Sequence, residues 1–314
     1  MRPRPVLAAI AIAAVSVTFA VMYAARSSPT RPLLARAPLR PSPASYLGVY
    51  ERGTPDGYQL VTRFAQAVGR KPNLVGYYSG WPQLFARSFA EIVYRHGAIP
   101  LVQMDPTDAS VAGIAAGAYD SYLDSFADSV RDFSHPVVIG FGHEMNATWY
   151  SWGYRHVRAS MFVAAWRHIV SLFRSQGADN VTWLWTINQD LGDTGPVVSW
   201  WPGARYVTWV GIDGYYYRPA DTFASVFGRT IAQVRMFTGK PVLLSETAVG
   251  PGPDQAAQIQ GLFSGVRQYQ ALGLVWFDIA QHAGIYHQDW RVEDHPAAET
   301  AFRVAASRLA LARH

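Results

Sequence analysis

Short apolar runs alternate with longer amphipathic runs along most of the chain, and no motif is shared from one unit to the next. The short runs are rich in β-branched and aromatic residues, which is typical of strands, whereas the longer runs repeat apolar residues at helical spacing. Eight strands are predicted, at Tyr46–Glu51, Leu74–Tyr78, Ile99–Met104, Val137–His143, Val181–Ile187, Val207–Ile212, Val242–Ser245 and Leu274–Ile279. Helices are predicted at Leu84–His96, Ala118–Phe133, Val157–Gln176, Thr222–Phe237, Gln255–Tyr269 and Ala297–Ala310.

This alternation predicts an α/β fold of the (β/α)8 TIM-barrel type over residues 46–314. Eight β-then-α units in about 265 residues fit a barrel better than a doubly wound sheet, which usually has fewer strands. The strand runs are nearly continuous apolar sequence, as expected for parallel strands covered on both faces. The fifth unit, residues 188–205, has no convincing helix, so a miscount by one strand stays open.

The first 45 residues differ from the rest. Arg2 and Arg4 precede an uncharged stretch at residues 5–25, which is dominated by Ala, Val and Ile and indicates an export signal. At roughly 20 residues it is also long enough to span a bilayer. Residues 1–25 are therefore expected to be a signal peptide or a signal anchor, and residues 26–45, with five prolines, a Pro/Arg-rich linker. We expect an exported protein, either secreted or anchored to the outer face of the cell membrane.

The formal net charge of +5 comes from this N-terminal segment. Six arginines precede Glu51, the first acidic residue, and the rest of the chain carries 21 basic against 22 acidic side chains. A nucleic-acid partner for the folded part is therefore not expected. The chain has no cysteine, which excludes disulfides and lipoprotein attachment. We expect a monomer.

Two carboxylates stand where an active site would form. The apolar run of strand four ends in His143-Glu144, and that of strand seven ends in Ser245-Glu246. The active site of such a barrel lies at the carboxyl ends of the strands, so both glutamates are predicted to face one mouth, although either alone could be a solvated loop residue. Glycosidic cleavage requires two carboxyl groups, and their separation decides between retention and inversion of configuration.

Other polar residues have less specific patterns. Asp213 follows strand six and is either a third carboxylate in the mouth or a turn residue. The tract with His282, His287 and Asp289 lacks a metal-binding motif and is interpreted as a plain loop. The Gly-x-Ser-x-Gly elbow of serine hydrolases is absent, and no glycine-rich phosphate loop follows the first strand. Neither a cofactor nor a metal is expected.

Residues 142–153 read GHEMNATWYSWG and resemble the strand-four signature of glycoside hydrolase family 26, His-Glu-Met-Asn-Gly followed by a Trp-rich run. Ser245-Glu246 resembles the nucleophile region of that family, and the likeness spans about Tyr46 to Ala310. The family is a retaining one whose members include β-mannanases, some β-glucanases and β-1,3-xylanases. The resemblance implies that Glu144 is the acid/base and Glu246 the nucleophile.

The resemblance also implies substrate-binding roles for further side chains. His143 would orient the carboxylates, Tyr215 or Tyr216 would hydrogen-bond the nucleophile, and the remaining contacts to sugar would come from Asn146, Trp149 and Trp276. Two positions depart from the family pattern: Ala147 replaces a common Gly, and residues 103–106 read Gln-Met-Asp-Pro where many mannanases carry a His.

The expected function is thus that of a retaining endo-glycoside hydrolase, similar to mannan endo-1,4-β-mannosidases, acting on a β-linked polysaccharide or oligosaccharide by double displacement. Two alternatives stay open. One is a family member that acts on β-1,3/1,4-glucan or β-1,3-xylan. The other is a weakly active or non-catalytic carbohydrate-binding barrel, tethered to the membrane through residues 5–25 and serving exopolysaccharide assembly.

Overall fold

Eight parallel strands close into a barrel in which each strand pairs with its neighbours in sequence and the last pairs with the first. The computed structural model describes residue 39, residues 41–281 and residues 288–312. The barrel strands are β1 Tyr46–Glu51, β2 Leu74–Gly80, β3 Ile99–Asp105, β4 Val137–Phe141, β5 Val181–Asn188, β6 Trp209–Asp213, β7 Val242–Thr247 and β8 Gly273–Asp278. The predicted (β/α)8 TIM barrel is confirmed.

Helices surround this barrel. They are α1 Gln59–Ala67, α2 Arg87–Arg95, α3 Val111–Ala115, α4 Asp120–Phe133, α5 Ala159–Ser175, α6 Arg229–Arg235, α7 Gln255–Gln268 and α8 Pro296–Ser307. A π-helical turn at Ala224–Gly228 leads directly into α6. Between β5 and β6 there is only a short 3-10 turn at Val197–Trp200, which explains why residues 188–205 show no helical pattern.

The core has two layers. Side chains such as Tyr46, Leu101, Leu184 and Trp209 fill the inside of the barrel, while a larger cluster lies between the strands and the helices. Six of the eight strands are buried along their whole length. Burial on both faces accounts for the continuous apolar runs in the sequence.

The ends of several strands differ from the predicted ones. Strand β4 stops at Phe141 rather than His143, because Gly142 and Glu144 adopt left-handed backbone angles, with φ of 53° and 54°. Strands β2, β3 and β7 continue beyond the predicted ends to Gly80, Asp105 and Thr247, since their polar ends remain paired in the sheet. Three strands therefore extend into the mouth of the barrel, with irregular pairing near the end of β7.

Some predicted features fall on other parts of the chain. The segment 1–25, the linker residues 26–38 and 40, and both His282 and His287 lie outside the described residues. Within the described ranges, no helix is long and apolar enough to cross a membrane. A small antiparallel ribbon, β9 Ala280–Gln281 with β10 Gln288–Asp289, follows β8.

Candidate active site

The carboxyl ends of the strands surround a cleft of about 820 Å³. Its lining includes residues from the ends of six strands or the turns that follow them, namely Tyr78, Asp105, Glu144, Asn188, Tyr215 and Glu246. A separate cavity of about 480 Å³, between α3 and the start of α5, has no carboxylate in its lining. The residues with candidate chemistry thus converge on the cleft at the barrel mouth.

A sharp turn after β4 directs Glu144 into this cleft. Gly142 turns the chain, and a Cβ at that position would lie 2.9 Å from the ring of Phe162, so a larger residue has no room. The left-handed conformation of Glu144 is uncommon for a residue with a side chain. It is held in place by a hydrogen bond of 3.0 Å from its backbone N–H to the carbonyl oxygen of Thr186 on β5.

Both carboxylate oxygens of Glu144 accept hydrogen bonds. The indole Nε1–H of Trp149 donates to Oε2 across 2.7 Å, and the side-chain amide of Asn188 donates to Oε1 across 2.6 Å. Asn188 is held in turn by Asn146, whose side chain bonds to the carbonyl oxygen and the N–H of Asn188. These hydrogen bonds therefore fix the orientation of the Glu144 carboxyl group.

Glu246 lies on β7 and is held by two tyrosines. The hydroxyl of Tyr78 donates to Oε1 across 2.5 Å, and the hydroxyl of Tyr215 donates to Oε2 across 2.8 Å. Burial raises the pKa of Glu246 to about 7, against the opposing effect of His143 and of the two tyrosine hydroxyls. Glu144 raises the pKa further, because two like charges would then lie close together.

Asp213 is a third carboxyl group at the same place. One oxygen each of Glu144, Asp213 and Glu246 lie within 4.8 Å of one another. Burial and the charges of the two glutamates raise the pKa of Asp213 well above its usual range. One oxygen accepts a hydrogen bond of 2.5 Å from Ser245, and the other has no partner among the described residues. The sequence left this position open, and the structure puts it in the mouth.

His143 is the basic counterpart of these carboxyl groups. Its Nδ1 lies 2.8 Å from Oδ1 of Asp105, and its Nε2 lies 3.0 Å from the hydroxyl of Tyr150. Burial alone would lower the pKa of His143, but the carboxylates of Asp105, Glu246 and Glu144 raise it to about 9. These carboxylates thus favour the protonated form of the imidazole.

Three residues of the predicted substrate-binding set are at the cleft, and three are not. His143, Tyr215 and Trp149 line it, and the Trp149 side chain is 49% exposed at the rim. Tyr216 is buried against Phe227, pointing away from its neighbour Tyr215. Of the two tyrosines, it is Tyr215 that bonds Glu246.

Asn146 and Trp276 also lie outside the cleft lining. Asn146 is fully buried, and its polar atoms are used by the backbone of Asn188 rather than left free for a sugar hydroxyl. Trp276 packs between β8 and α8, 5.0 Å from the ring of Phe302, and its Nε1–H donates to the carbonyl oxygen of Trp290. Because side chains alternate along a strand, the next residue, Phe277, faces the cleft instead.

Five further residues of the cleft were not predicted from the sequence, namely Tyr78, Asp105, Tyr150, Asn188 and Phe277. Tyr78 ends the predicted second strand, and Asp105 and Asn188 directly follow the predicted third and fifth. The rule that located the two glutamates, a polar residue at the carboxyl end of a strand, would therefore have found three of these five.

Among the described residues, one group of carboxylates could serve as metal ligands. Glu144, Asp213 and Glu246 approach each other closely enough to share an ion. However, both glutamates already accept hydrogen bonds through both oxygens, and the positive His143 lies beside them. This environment suits carboxyl groups that transfer protons better than carboxylates that bind a metal cation. Asp289, from the tract after β8, forms an ion pair of 2.6 Å with Arg291.

A (β/α)8 barrel with paired glutamates after β4 and on β7 has the architecture of the barrel glycoside hydrolases. A sequence profile of Glycosyl hydrolase family 26 matches residues 104–303, well over half of the chain. The chain belongs to this family, which places it among the O-glycosyl hydrolases.

Curated relatives differ in substrate. Endoglucanase H of Acetivibrio thermocellus is 29% identical over 270 residues, which cover 81% of this chain and 29% of that protein. Mannan endo-1,4-beta-mannosidase A and B of Caldalkalibacillus mannanilyticus is 29% identical over 146 residues, 43% of this chain and 26% of that protein. Beta-1,3-xylanase TXYA of a Vibrio species is 26% identical over 138 residues, 40% of this chain and 28% of that protein. The chain thus spans less than a third of the length of these relatives.

Solved structures share the fold. The modular endo-beta-1,4-mannanase of Cellulomonas fimi superimposes with a TM-score of 0.66 at 17% identity, covering 86% of this chain and 72% of that one. The catalytic domain of the endo-beta-1,4-mannanase of Bacillus sp. JAMB-750 gives a TM-score of 0.66 at 16% identity, covering 86% and 87%.

Proposed function

We propose that this protein is a retaining endo-glycoside hydrolase that cleaves a β-linked polysaccharide by double displacement. The observation that carries the proposal is the approach of one oxygen of Glu144 to within 4.8 Å of one oxygen of Glu246. Retaining glycosidases hold their two carboxyl groups about 5 to 5.5 Å apart, whereas inverting ones leave about 6.5 to 9.5 Å for a water. The close spacing supports retention.

In the first step Glu246 acts as the nucleophile. Its carboxylate attacks the anomeric carbon, the bond from that carbon to the glycosidic oxygen breaks, and Glu144 gives its proton to the departing oxygen. Tyr78 and Tyr215 hold the Glu246 carboxylate in a fixed orientation, and the positive His143 favours its ionised form. The product of this step is a glycosyl ester on Glu246.

In the second step water replaces the enzyme at the same carbon. Glu144, now ionised, takes a proton from the water, whose oxygen attacks the anomeric carbon as the ester bond breaks. The negative charge of Glu246 is absent from the ester and returns only as the bond breaks. Repulsion between the two glutamates is therefore low while Glu144 acts as a base. Two inversions at one carbon give net retention.

The open, aromatic cleft supports action within a polysaccharide chain. Pyranose rings pack their C–H faces on aromatic rings, and the cleft offers Trp149 at the rim with Tyr215 and Phe277 further in. β-Mannan and β-glucan are the two candidate substrates. The similarity to the mannan endo-1,4-beta-mannosidase supports β-mannan. The similarity to Endoglucanase H, which extends over a larger part of the chain, supports β-glucan.

The proposal is tested by incubating the protein with β-mannan, mixed-linkage β-glucan and β-1,3-xylan and following the reducing ends released. On the best substrate, proton NMR of the first-formed product should show the β-anomer. Glu246→Gln should lower kcat by roughly 10⁴-fold or more, and Glu144→Gln by roughly 10²- to 10⁴-fold. The control Glu91→Gln removes a glutamate from α2, far from the cleft, and should leave the rate unchanged. A first-formed α-anomer, or full activity of Glu246→Gln, would contradict the proposal.

Export is proposed from the sequence alone, because residues 1–25 combine two arginines with a long uncharged stretch. Mass spectrometry of the protein recovered from its native cells tests it. A mature N-terminus beyond residue 25 identifies a cleaved signal, and an intact N-terminus in the membrane fraction identifies an anchor. An intact protein found in the cytosol would contradict export.

A further inference from the structure

The charges at the barrel mouth are unbalanced without a histidine cation. Four buried carboxyl groups, those of Asp105, Glu144, Asp213 and Glu246, lie in or directly beneath the cleft, and the exposed Asp193 also lines it. None of the described residues that line the cleft is a lysine or an arginine, and His143 is the one lining side chain that can carry a positive charge. Buried carboxylates without a cation nearby are strongly disfavoured. The charge state of His143 therefore matters for all of them.

The hydrogen bonds around His143 allow both ring nitrogens to carry a proton at once. The Asp105 carboxylate can only accept, so Nδ1, at 2.8 Å, donates to it. The Tyr150 hydroxyl, 3.0 Å from Nε2, can accept as well as donate, so it does not prevent a proton on that nitrogen. Asp105 itself is fixed by two backbone hydrogen bonds to its carbonyl oxygen, from the N–H groups of Trp81 and Thr107.

We propose that Asp105 is a positioning residue that keeps the His143 ring doubly protonated, so that a fixed positive charge faces the nucleophile Glu246. The effect of this charge on catalysis rests on the proposed function, whereas the charge state of His143 can be measured without any activity. Asp105 acts on the glutamates only through His143, to which its carboxylate is hydrogen-bonded. It stands at the end of β3, where the sequence reads Gln-Met-Asp-Pro.

The titratable groups around the ring come from several strands. Asp105 on β3, Tyr150 after β4 and Tyr78 on β2 contact or neighbour the imidazole, with the Tyr78 ring centre 5.4 Å away. The carboxylates of Glu144, in the turn after β4, and of Glu246, on β7, face the ring, and Asp213 on β6 is close to both. The pKa of His143, raised to about 9, and the lowering effect of His143 on the pKa of Glu246 agree with the proposal.

A simpler role for Asp105 would be to orient a neutral imidazole in one tautomer, as carboxylates do in other enzymes. Asp105→Asn separates the two roles. The amide oxygen can still accept from Nδ1–H and keep the ring in place, but the negative charge that holds the second proton is gone. Asp108→Asn is the matched control, because Asp108 is an exposed carboxylate in the same β3–α3 loop and has no contact with His143.

The test is nitrogen NMR of the full chain labelled in its histidines, with the His143 signals assigned by their loss in His143→Asn. We expect an imidazolium at pH 7.5 in the wild type and in Asp108→Asn. In Asp105→Asn the pKa of His143 should be lower than in the wild type by roughly one to three pH units, because one opposite charge next to the ring is lost. A neutral His143 at pH 7.5 in the wild type would overturn the proposal even if the variant does not fold, and so would an unchanged pKa of His143 in Asp105→Asn.

Activity supplies the second readout. In Asp105→Asn the acidic limb of the kcat/KM profile should move up by roughly one pH unit, because Glu246 loses the cation that favours its ionised form. If the pKa of His143 falls in Asp105→Asn but the acidic limb of the kcat/KM profile does not move, the link from Asp105 to Glu246 is overturned. If the wild type hydrolyses none of the three polysaccharides, the proposed function fails, while the NMR titration still confirms or refutes the role of Asp105.

Discussion

Tyr215 donates a hydrogen bond of 2.8 Å from its hydroxyl to Oε2 of Glu246, and this bond fixes one of the two oxygens of the proposed nucleophile. The ring of Tyr215 stacks on Trp290 at 4.7 Å, so the hydroxyl is presented by a side chain with little freedom to turn. Tyr78 does the same for the other oxygen, and its ring stacks on Tyr50 at 5.0 Å. The carboxylate is therefore oriented before substrate arrives.

The first prediction concerns these two tyrosines. Tyr78→Phe and Tyr215→Phe each remove one hydrogen bond to a charged group, worth about 1.5 to 3 kcal/mol, so kcat/KM should fall by roughly 10- to 150-fold in each. Tyr216→Phe is the control, because Tyr216 is buried away from the cleft and its hydroxyl has no partner among the described residues. Steady-state kinetics on the best polysaccharide checks this. Equal losses in all three variants would contradict the assigned roles.

The second prediction is the acidic limb of the pH profile. Glu246 must be ionised to attack, and burial raises its pKa to about 7. Below that pH the carboxyl group gains a proton, so kcat/KM should fall about tenfold for each further pH unit. Measurements between pH 5 and 9 test this. A rate that stays level down to pH 5 would show that no group with this pKa has to lose its proton.

The third prediction concerns the stability of the fold and a second pair of buried carboxyl groups, at the ends of β1 and β8. Glu51 on β1 and Asp278 on β8 are paired in the sheet and buried, and burial raises the pKa of Glu51 to about 8 and that of Asp278 well above its usual range. In the unfolded chain these groups ionise near pH 4. The folded protein therefore binds more protons between about pH 4.5 and 8, and its free energy of unfolding falls as the pH rises through that window.

Glu51→Gln removes one of these protonated groups and cannot ionise. Its Tm should therefore depend less on pH than that of the wild type and should be higher at pH 8 by several degrees, at roughly 2 to 4 °C for each kcal/mol. Glu299→Gln, at a partly exposed position of α8, is the control, and its Tm should depend on pH as that of the wild type does. Thermal unfolding followed by circular dichroism at pH 5, 6, 7 and 8 makes the comparison. A wild-type Tm that rises over this range would refute the argument.

The fourth prediction separates Trp276 from Phe277. Phe277 faces the cleft, so Phe277→Leu should raise KM several-fold by removing an aromatic surface for sugar, which is worth about 0.5 to 1.5 kcal/mol. Trp276 is buried between β8 and α8, so Trp276→Phe should leave KM unchanged and lower Tm. Kinetics and thermal unfolding of both variants test this. A raised KM in Trp276→Phe would return that residue to the site.

Much of the fold could be predicted from the sequence because a buried parallel strand has a simple pattern. The continuous apolar runs located all eight barrel strands, and the polar residue that ends a run located Glu144 and Glu246. Helices α1 and α3 were missed. Helix α1 has nine residues, of which only Val61 and Phe64 are buried, and α3 has five residues that follow the Ser110 cap, so neither is long enough to show a clear period.

The contacts within the site could be predicted only in part. The left-handed turn at Gly142 and Glu144 has no pattern of its own in the sequence, yet it directs Glu144 towards Trp149 and Asn188. Partners such as Tyr78 and Glu246 are 168 residues apart and meet only because the barrel closes. Side chains alternate along β8, so only one of Trp276 and Phe277 can face the cleft. The sequence of so short a strand does not show which of the two it is.

The central claim is that Glu246 forms a covalent bond to the sugar, and the most direct test is to trap that intermediate. A 2-deoxy-2-fluoro glycosyl fluoride of the sugar found in the best substrate should react with the protein and accumulate as a stable ester. Mass spectrometry of the intact protein and of its proteolytic peptides then locates the label. The account predicts one added sugar per chain, carried by Glu246 and absent in Glu246→Gln. A label on Glu144, or turnover of the reagent with inversion and no label, would contradict it.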